Sequence, residues 1–191
     1  MITAIILAAG FSSRMKTNKL ALQYGPTTVL NHVILELVKS KVDEIIVVTS
    51  REENIEGVKS VVNPHPEKGM TSSIQTGVEA SSGKTQGYMI CLADMVKLTS
   101  DDYTFLAEKF EKANTQNPSC ILLPRFNGER GNPVIFSSKY KSDILHHEDP
   151  EGCKGIIKQD PDQIVWIDMN NDAVLVDMDT PEDYNRLSQK S

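Results

Sequence analysis

Residues 3–8 read Thr3-Ala-Ile-Ile-Leu-Ala8, and the polar loop Ala9-Gly-Phe-Ser-Ser-Arg-Met-Lys-Thr-Asn-Lys19 follows at once. A run of small and apolar residues that ends in a glycine-containing loop spells a strand buried on both faces. Two more runs of this kind occur, Glu44-Ile-Ile-Val-Val-Thr49 and Gly87-Tyr-Met-Ile-Cys-Leu92. Shorter strands are predicted over 60–63, closed by Pro64 and Pro66, and over 119–123. Between them lie helical patterns. Val29, Leu30, Val33, Ile34, Leu37 and Val38 form one stripe behind Thr28 as N-cap, and a second helix is predicted over 71–80 after Gly69. A third starts at Thr99 or Ser100 and runs to about 113, with Asp101 and Asp102 favourable in its first turn. Strands alternating with helices predict an α/β chain: a single-domain, three-layer α/β/α sandwich on a mostly parallel, Rossmann-like sheet. Ligands of such sheets bind beyond the carboxyl ends of the strands, after Ala8, Asn63 and Leu92.

The 191 residues are enough for one domain with a full core, and 39% hydrophobic against 24% charged residues excludes a disordered chain. No linker or repeat divides it. Lys and Arg number 20 against 26 Asp and Glu, and the net charge of −6 argues against nucleic acid as a partner. No apolar run approaches the roughly 18–20 residues of a membrane helix, and no basic residues precede the run at Ile2, so no membrane partner is expected. The cysteines Cys91, Cys120 and Cys153 are odd in number and irregularly spaced. Cys91 and Cys120 fall in apolar runs and read as small buried hydrophobes, in a reduced, cytoplasmic setting. His146, His147 and Cys153 do not make a zinc site, because adjacent histidines point differently.

The loop after the first strand has the chemistry of a triphosphate site. Ala8, Ala9 and Gly10 let a ligand approach the backbone, Ser12 and Ser13 add hydroxyls, and Arg14, Lys16 and Lys19 supply cations. An ordinary strand-to-helix loop with solvated cations would read the same way. Neither Gly-x-x-x-x-Gly-Lys-Ser/Thr nor Gly-x-Gly-x-x-Gly occurs, which excludes the Walker and dinucleotide loops. Asp94, at the end of the Gly87 strand, suits Mg²⁺ as a hard ligand or could cap a turn. Asp177 and Asp179 would face one side if that segment were extended, leaving one of them for another purpose, such as capping a helix that begins at Pro181.

Leu-Ala-Ala-Gly-x-Ser-x-Arg-Met-x-x-x-Lys over 7–19 resembles the signature of the nucleotidyltransferases, the molybdopterin nucleotidyltransferase branch in particular. Further stretches resemble that family in the expected order: Gly69-Met-Thr-Ser-Ser-Ile-Gln-Thr-Gly77, Leu92-Ala-Asp-Met95, Arg130-Gly-Asn-Pro-Val134 and Asp177-Met-Asp-Thr-Pro-Glu-Asp-Tyr184. Ala93 stands where the family usually has Gly, and Val96 where it usually has Pro. The resemblance implies transfer of a nucleotidyl group from an NTP, with pyrophosphate leaving, by one domain over 1–191 whose NTP-binding half is expected at about 1–100 and acceptor-binding half at about 101–191. Arg14 and Lys19 would be catalytic on the triphosphate. Leu7, Ala8, Ala9, Gly10, Ser12, Ser13, Asn63, Gly69 and Ser73 would bind nucleotide, and Asp94 and Asp179 would hold Mg²⁺. Arg130, Gly131, Asn132 and Pro133 would lie on the acceptor side, where Lys154 could also contact a phosphate. The implied acceptor is the molybdopterin-type cofactor through its terminal phosphate, with transient contact to the receiving molybdoenzyme or its chaperone. Ala9, where guanylyl enzymes usually have Gly, favours CTP over GTP. A guanylyltransferase, a sugar- or polyol-phosphate nucleotidyltransferase and a non-catalytic nucleotide-binding module are the alternatives.

Overall fold

The computed structural model describes residues 1–10 and 18–189. Eight strands form one sheet: β1 (Ile2–Leu7), β2 (Glu44–Thr49), β3 (Lys59–Val62), β4 (Gly87–Leu92), β5 (Ile121–Phe126), β6 (Glu129–Arg130), β7 (Val134–Ser137) and β8 (Ile164–Asp168). Their order is β8-β5-β7-β4-β1-β2-β3, with β6 hairpinned onto β5. β1 pairs in parallel with β2 and β4, β2 with β3, and β8 with β5. β7 runs antiparallel between β4 and β5. The mostly parallel sheet expected from the sequence is therefore present, with one reversed strand inside it.

Helices α1 (Val29–Val38), α2 (Met70–Ala80), α3 (Ser100–Gln116), α4 (Lys141–Leu145), α5 (Lys154–Gln159) and α6 (Pro181–Ser188) cover both faces. β1 shows how the two faces divide. Ile2, Ala4 and Ile6 pack with Val29, Leu30 and Val33 of α1 and Tyr103, Leu106 and Phe110 of α3. Ile5 turns the other way, onto Ile74 and Val78 of α2 and Ile144 and Ile156 of α4 and α5. Side-chain alternation along a strand, with both faces covered, is why these runs are apolar without a break. Thr28 caps α1 through Asn31 N, and Thr99 caps α3 in a reciprocal box with Asp102, as the sequence predicts. Among the described residues no helix is long and apolar enough to cross a membrane. Cys91, Cys120 and Cys153 are free and buried.

From β1 the chain moves one way across the sheet, to β2 and β3. It then returns to place β4 on the other side of β1. The carboxyl ends of β1 and β4 thus flank the point where strand order reverses, and a crevice opens there.

Candidate active site at the carboxyl ends of β1 and β4

A cavity of about 460 Å³ fills that crevice. β1 contributes Leu7 and the following Ala9 and Gly10, and β4 contributes Leu92, Ala93 and Asp94. Pro66, Gly69, Met70 and Ser73 come from the approach to α2 and its first turn, and Asp177 and Asp179 from the segment before α6. Lys19 opens a short 3₁₀ turn, Lys19–Ala21, which is capped by the Asn18 side chain accepting from Leu20 N.

At the rim of this cavity one cation faces two carboxylates. Lys19 Nζ donates to Asp94 Oδ2 at 2.5 Å and to Asp179 Oδ1 at 2.8 Å. Asp94 is only 8% exposed. Burial by itself would lower the pKa of Lys19, but the Asp94 charge and hydrogen bonds to both carboxylates reverse that and raise it. The ammonium is therefore firmly protonated. Ala93 and Val96, the departures from the family pattern, are buried and leave Asp94 facing the cavity.

Residues Asp172–Leu175 form a 3₁₀ turn, and Asp177 and Asp179 beyond it both line the cavity, on one side as the sequence reading allowed. Asp177 does not cap α6, since Thr180 and Asp183 do so in a reciprocal box. A Thr-x-x-Asp box places the helix start at Pro181 and leaves both aspartates to the cavity. Partial burial first, and then the charges of Asp179 and Asp94, push the Asp177 carboxyl above its ordinary range.

The first turn of α2 is fixed from outside the helix. Gly69 adopts φ +85°, and a Cβ there would press on Pro150, so both conformation and space require glycine. Met70 N donates to Pro150 O at 2.9 Å, and Gly152 N donates to Thr71 Oγ1 at 3.0 Å. Thr71 Oγ1 in turn donates to Asp149 O. One turn further on, Gln75 Nε2 donates to the carbonyls of Ile144, Leu145 and His147. Asn63 is spent internally: its Nδ2 donates to Ser72 Oγ and Ser73 Oγ, and its Oδ1 accepts from His65 N. Ala8 and Asn63 are not among the residues that line this cavity. Buried amides are used up by their fixed partners, and Asn63 is buried because β3 ends under α2. Arg14, Ser12 and Ser13 lie outside the described residues.

A second cavity, of about 390 Å³, adjoins the first and shares Met70 and Leu92 with it. Arg130, Gly131 and Asn132 line it, with Glu151, Gly152, Cys153 and Lys154 opposite. Pro133 is buried outside this lining. Arg130 makes no ion pair among the described residues, and partial loss of solvent lowers its pKa. Asn132 N donates to Val174 O, which ties this loop to the turn preceding Asp177. Met70 and Leu92 went unnoticed as lining residues in the sequence, although both lie inside quoted motifs. Burial pushes the Cys153 thiol up to about 12.

No group of three or more metal-binding side chains occurs among the described residues. Asp94 and Asp179 nevertheless converge on one point beside a cavity. Mg²⁺ is ordinarily held by one or two carboxylates together with phosphate oxygens and waters, so this donor set fits it.

A family model described as the MobA-like NTP transferase domain matches residues 4–164. The purine catabolism protein PucB of Bacillus subtilis is 26% identical over 96% of this chain and 94% of its own. The molybdenum cofactor cytidylyltransferase of Escherichia coli is likewise 26% identical, over 96% of this chain and 93% of its own. Among solved structures, Rv0371c of Mycobacterium tuberculosis in complex with manganese superposes with a TM-score of 0.74 at 21% identity, covering 100% and 99% of the two chains.

Proposed function

The chain belongs to the MobA-like NTP transferase family, and from that premise we propose that it moves CMP from CTP to the terminal phosphate of a molybdopterin-type cofactor. The observation that carries this reading is the meeting of Lys19, Asp94 and Asp179 at the switch-point crevice, with a second cavity beyond Leu92 and Met70.

In the reaction an oxygen of the acceptor phosphate attacks the α-phosphorus, and the bond from that phosphorus to its bridging oxygen breaks. Pyrophosphate leaves with the electron pair. The protein has to align attacker and leaving group and stabilise the spreading charge. Gly10 gives close backbone access to the triphosphate, and Ser12, Ser13 and Arg14, which follow it in the sequence, supply hydroxyls and a cation. Lys19 neutralises charge on the α-phosphate as it develops. Ser73, Gly69 and Pro66 border the nucleoside, held in place by Asn63 behind them. Arg130 faces the acceptor phosphate, with Lys154 opposite. Asp94 and Asp179 would hold Mg²⁺, which supplies charge neutralisation on phosphate oxygens when bound. The mycobacterial manganese complex supports a divalent ion for this fold.

CTP is favoured because Ala9 is 3% exposed and lines the donor cavity, where its methyl narrows the space for a base. The E. coli relative's name supports both the base and the acceptor. The equal identity to PucB supports a second setting for the same chemistry, in purine catabolism. Exchange of labelled pyrophosphate into each NTP, with and without molybdopterin, tests the reading. CTP should exchange best. A preference for GTP would overturn the cytidylyl assignment, and no exchange with any NTP would overturn the reaction.

A further inference from the structure

Lys19 Nζ lies 2.5 Å from Asp94 Oδ2 and 2.8 Å from Asp179 Oδ1. These are the oxygens a divalent ion would take, at roughly 2.0–2.1 Å for Mg²⁺. An ammonium and a metal cannot both occupy that point. Like charges drawn this close repel in a partly buried site, and Lys19 lies between the two carboxylates. Asp177 at the same cavity adds a third negative charge. The cation that lies between the two carboxylates in this structure thus belongs to the chain.

Lys19 is well suited to give this position up. Its stem is flexible and its charge is compact, and phosphate oxygens offer it the same kind of charged acceptor as a carboxylate. It lines the same cavity as Gly10, where a polyphosphate would lie. We propose that Lys19 is a positioning residue for the metal site, a tethered cation that occupies the point between Asp94 and Asp179 until nucleotide arrives, so that the divalent ion enters with the NTP and not before it. The proposal rests on the nucleotidyl-transfer reading above. When the polyphosphate arrives, Lys19 exchanges its carboxylate partners for phosphate oxygens, and the metal carried by the nucleotide takes the vacated carboxylates. The exchange breaks no covalent bond and needs no proton transfer.

The test measures Mn²⁺ binding to the nucleotide-free protein, by the loss of the free-ion electron paramagnetic resonance signal. Lys19→Met should bind Mn²⁺ at least tenfold more tightly than wild type, although it loses a catalytic group. Lys19→Arg keeps a cation within reach of both carboxylates and should bind as weakly as wild type. A non-hydrolysable CTP analogue should tighten Mn²⁺ binding by wild type at least tenfold beyond the ion's affinity for the analogue alone. Equal or weaker Mn²⁺ binding by Lys19→Met would overturn the proposal, with Lys19→Gln as a second variant if the first does not fold. Asp94→Asn in the Lys19→Met background separates the two readings. If it leaves Mn²⁺ affinity unchanged, the carboxylates are not the metal site and the reading beneath the proposal fails. If it abolishes binding while Lys19→Met shows no gain, only the exchange fails.

Discussion

Thr71→Val replaces a hydroxyl by a methyl at constant shape and keeps the branched side chain that packs in the first turn of α2. Thr71 is 3% exposed. Its hydroxyl accepts from Gly152 N at 3.0 Å and donates to Asp149 O. The variant loses both bonds and strands the buried Gly152 N–H, while the Asp149 carbonyl lies in an exposed residue that water reaches. A net hydrogen bond is worth about 0.5–1.5 kcal/mol and an orphaned buried donor costs about 1–3, so the loss should be about 2–3 kcal/mol. For a domain of this size roughly 2–4 °C of Tm accompanies each kcal/mol, giving a fall of about 4–12 °C in a thermal melt followed by circular dichroism. Thr71→Ser restores the hydroxyl and should recover most of the loss. The functional consequence is asymmetric. Glu151, Gly152 and Lys154 line only the second cavity, so KM for the acceptor should rise about tenfold or more while KM for NTP stays within about twofold. A Tm within about 1 °C of wild type, or a Ser variant as unstable as the Val variant, would refute the hydrogen-bond argument.

Asp94→Asn and Asp179→Asn should each cost about 10²-fold or more in kcat with the fold intact, and Asp177→Asn much less, read by steady-state kinetics over a Mg²⁺ titration. Gly77 of α2 faces Ile5 and Val48 of the sheet, and a Cβ there would overlap Ile5 Cγ2. Gly77→Ala should therefore destabilise by about 1–3 kcal/mol in spite of its better helix propensity, measured by urea unfolding. Ala9→Gly should relax the preference for CTP over GTP without inverting it, because one methyl in a pocket is worth only about 10–200-fold in kcat/KM. Cys153 has a raised thiol pKa, so its reactive thiolate grows as pH rises toward about 12. Its alkylation by iodoacetamide, followed by mass spectrometry in the native protein, should keep climbing through pH 9–10, where an ordinary thiol levels off.

The central strands were legible because burial on both faces removes any need for polar alternation. β1, β2 and β4 fall within a residue of the expected runs, and Thr28 and Thr99 cap the helices as expected. β7 was not anticipated. It is four residues long, follows directly on Gly131-Asn-Pro, and owes its reversed direction to neighbours on both sides. β8 at the sheet edge keeps Trp166 half-exposed against Arg125, so its pattern does not read as a core strand. In the site, motif position alone picked out Asp94, Lys19 and Asp179 as a set. Their meeting spans separations of 75 and 160 residues, which no local pattern encodes. The partners of Asn63 and the cap of α6 were not legible for the same reason. Local reading sees a polar residue at a strand end and two aspartates at alternate positions; it does not see that Ser72 and Ser73 take the Asn63 amide, or that Thr180 and Asp183 cap the helix.

The most direct test is a single-turnover reaction of enzyme with α-³²P-labelled CTP and molybdopterin, comparing wild type with Lys19→Ala and Asp94→Asn. In wild type the label should appear on the acceptor with an equal amount of unlabelled pyrophosphate. Both variants should slow that step by about 10²-fold or more while still binding CTP. Label transfer at a wild-type rate by either variant would contradict the placement of the chemistry between Lys19 and Asp94.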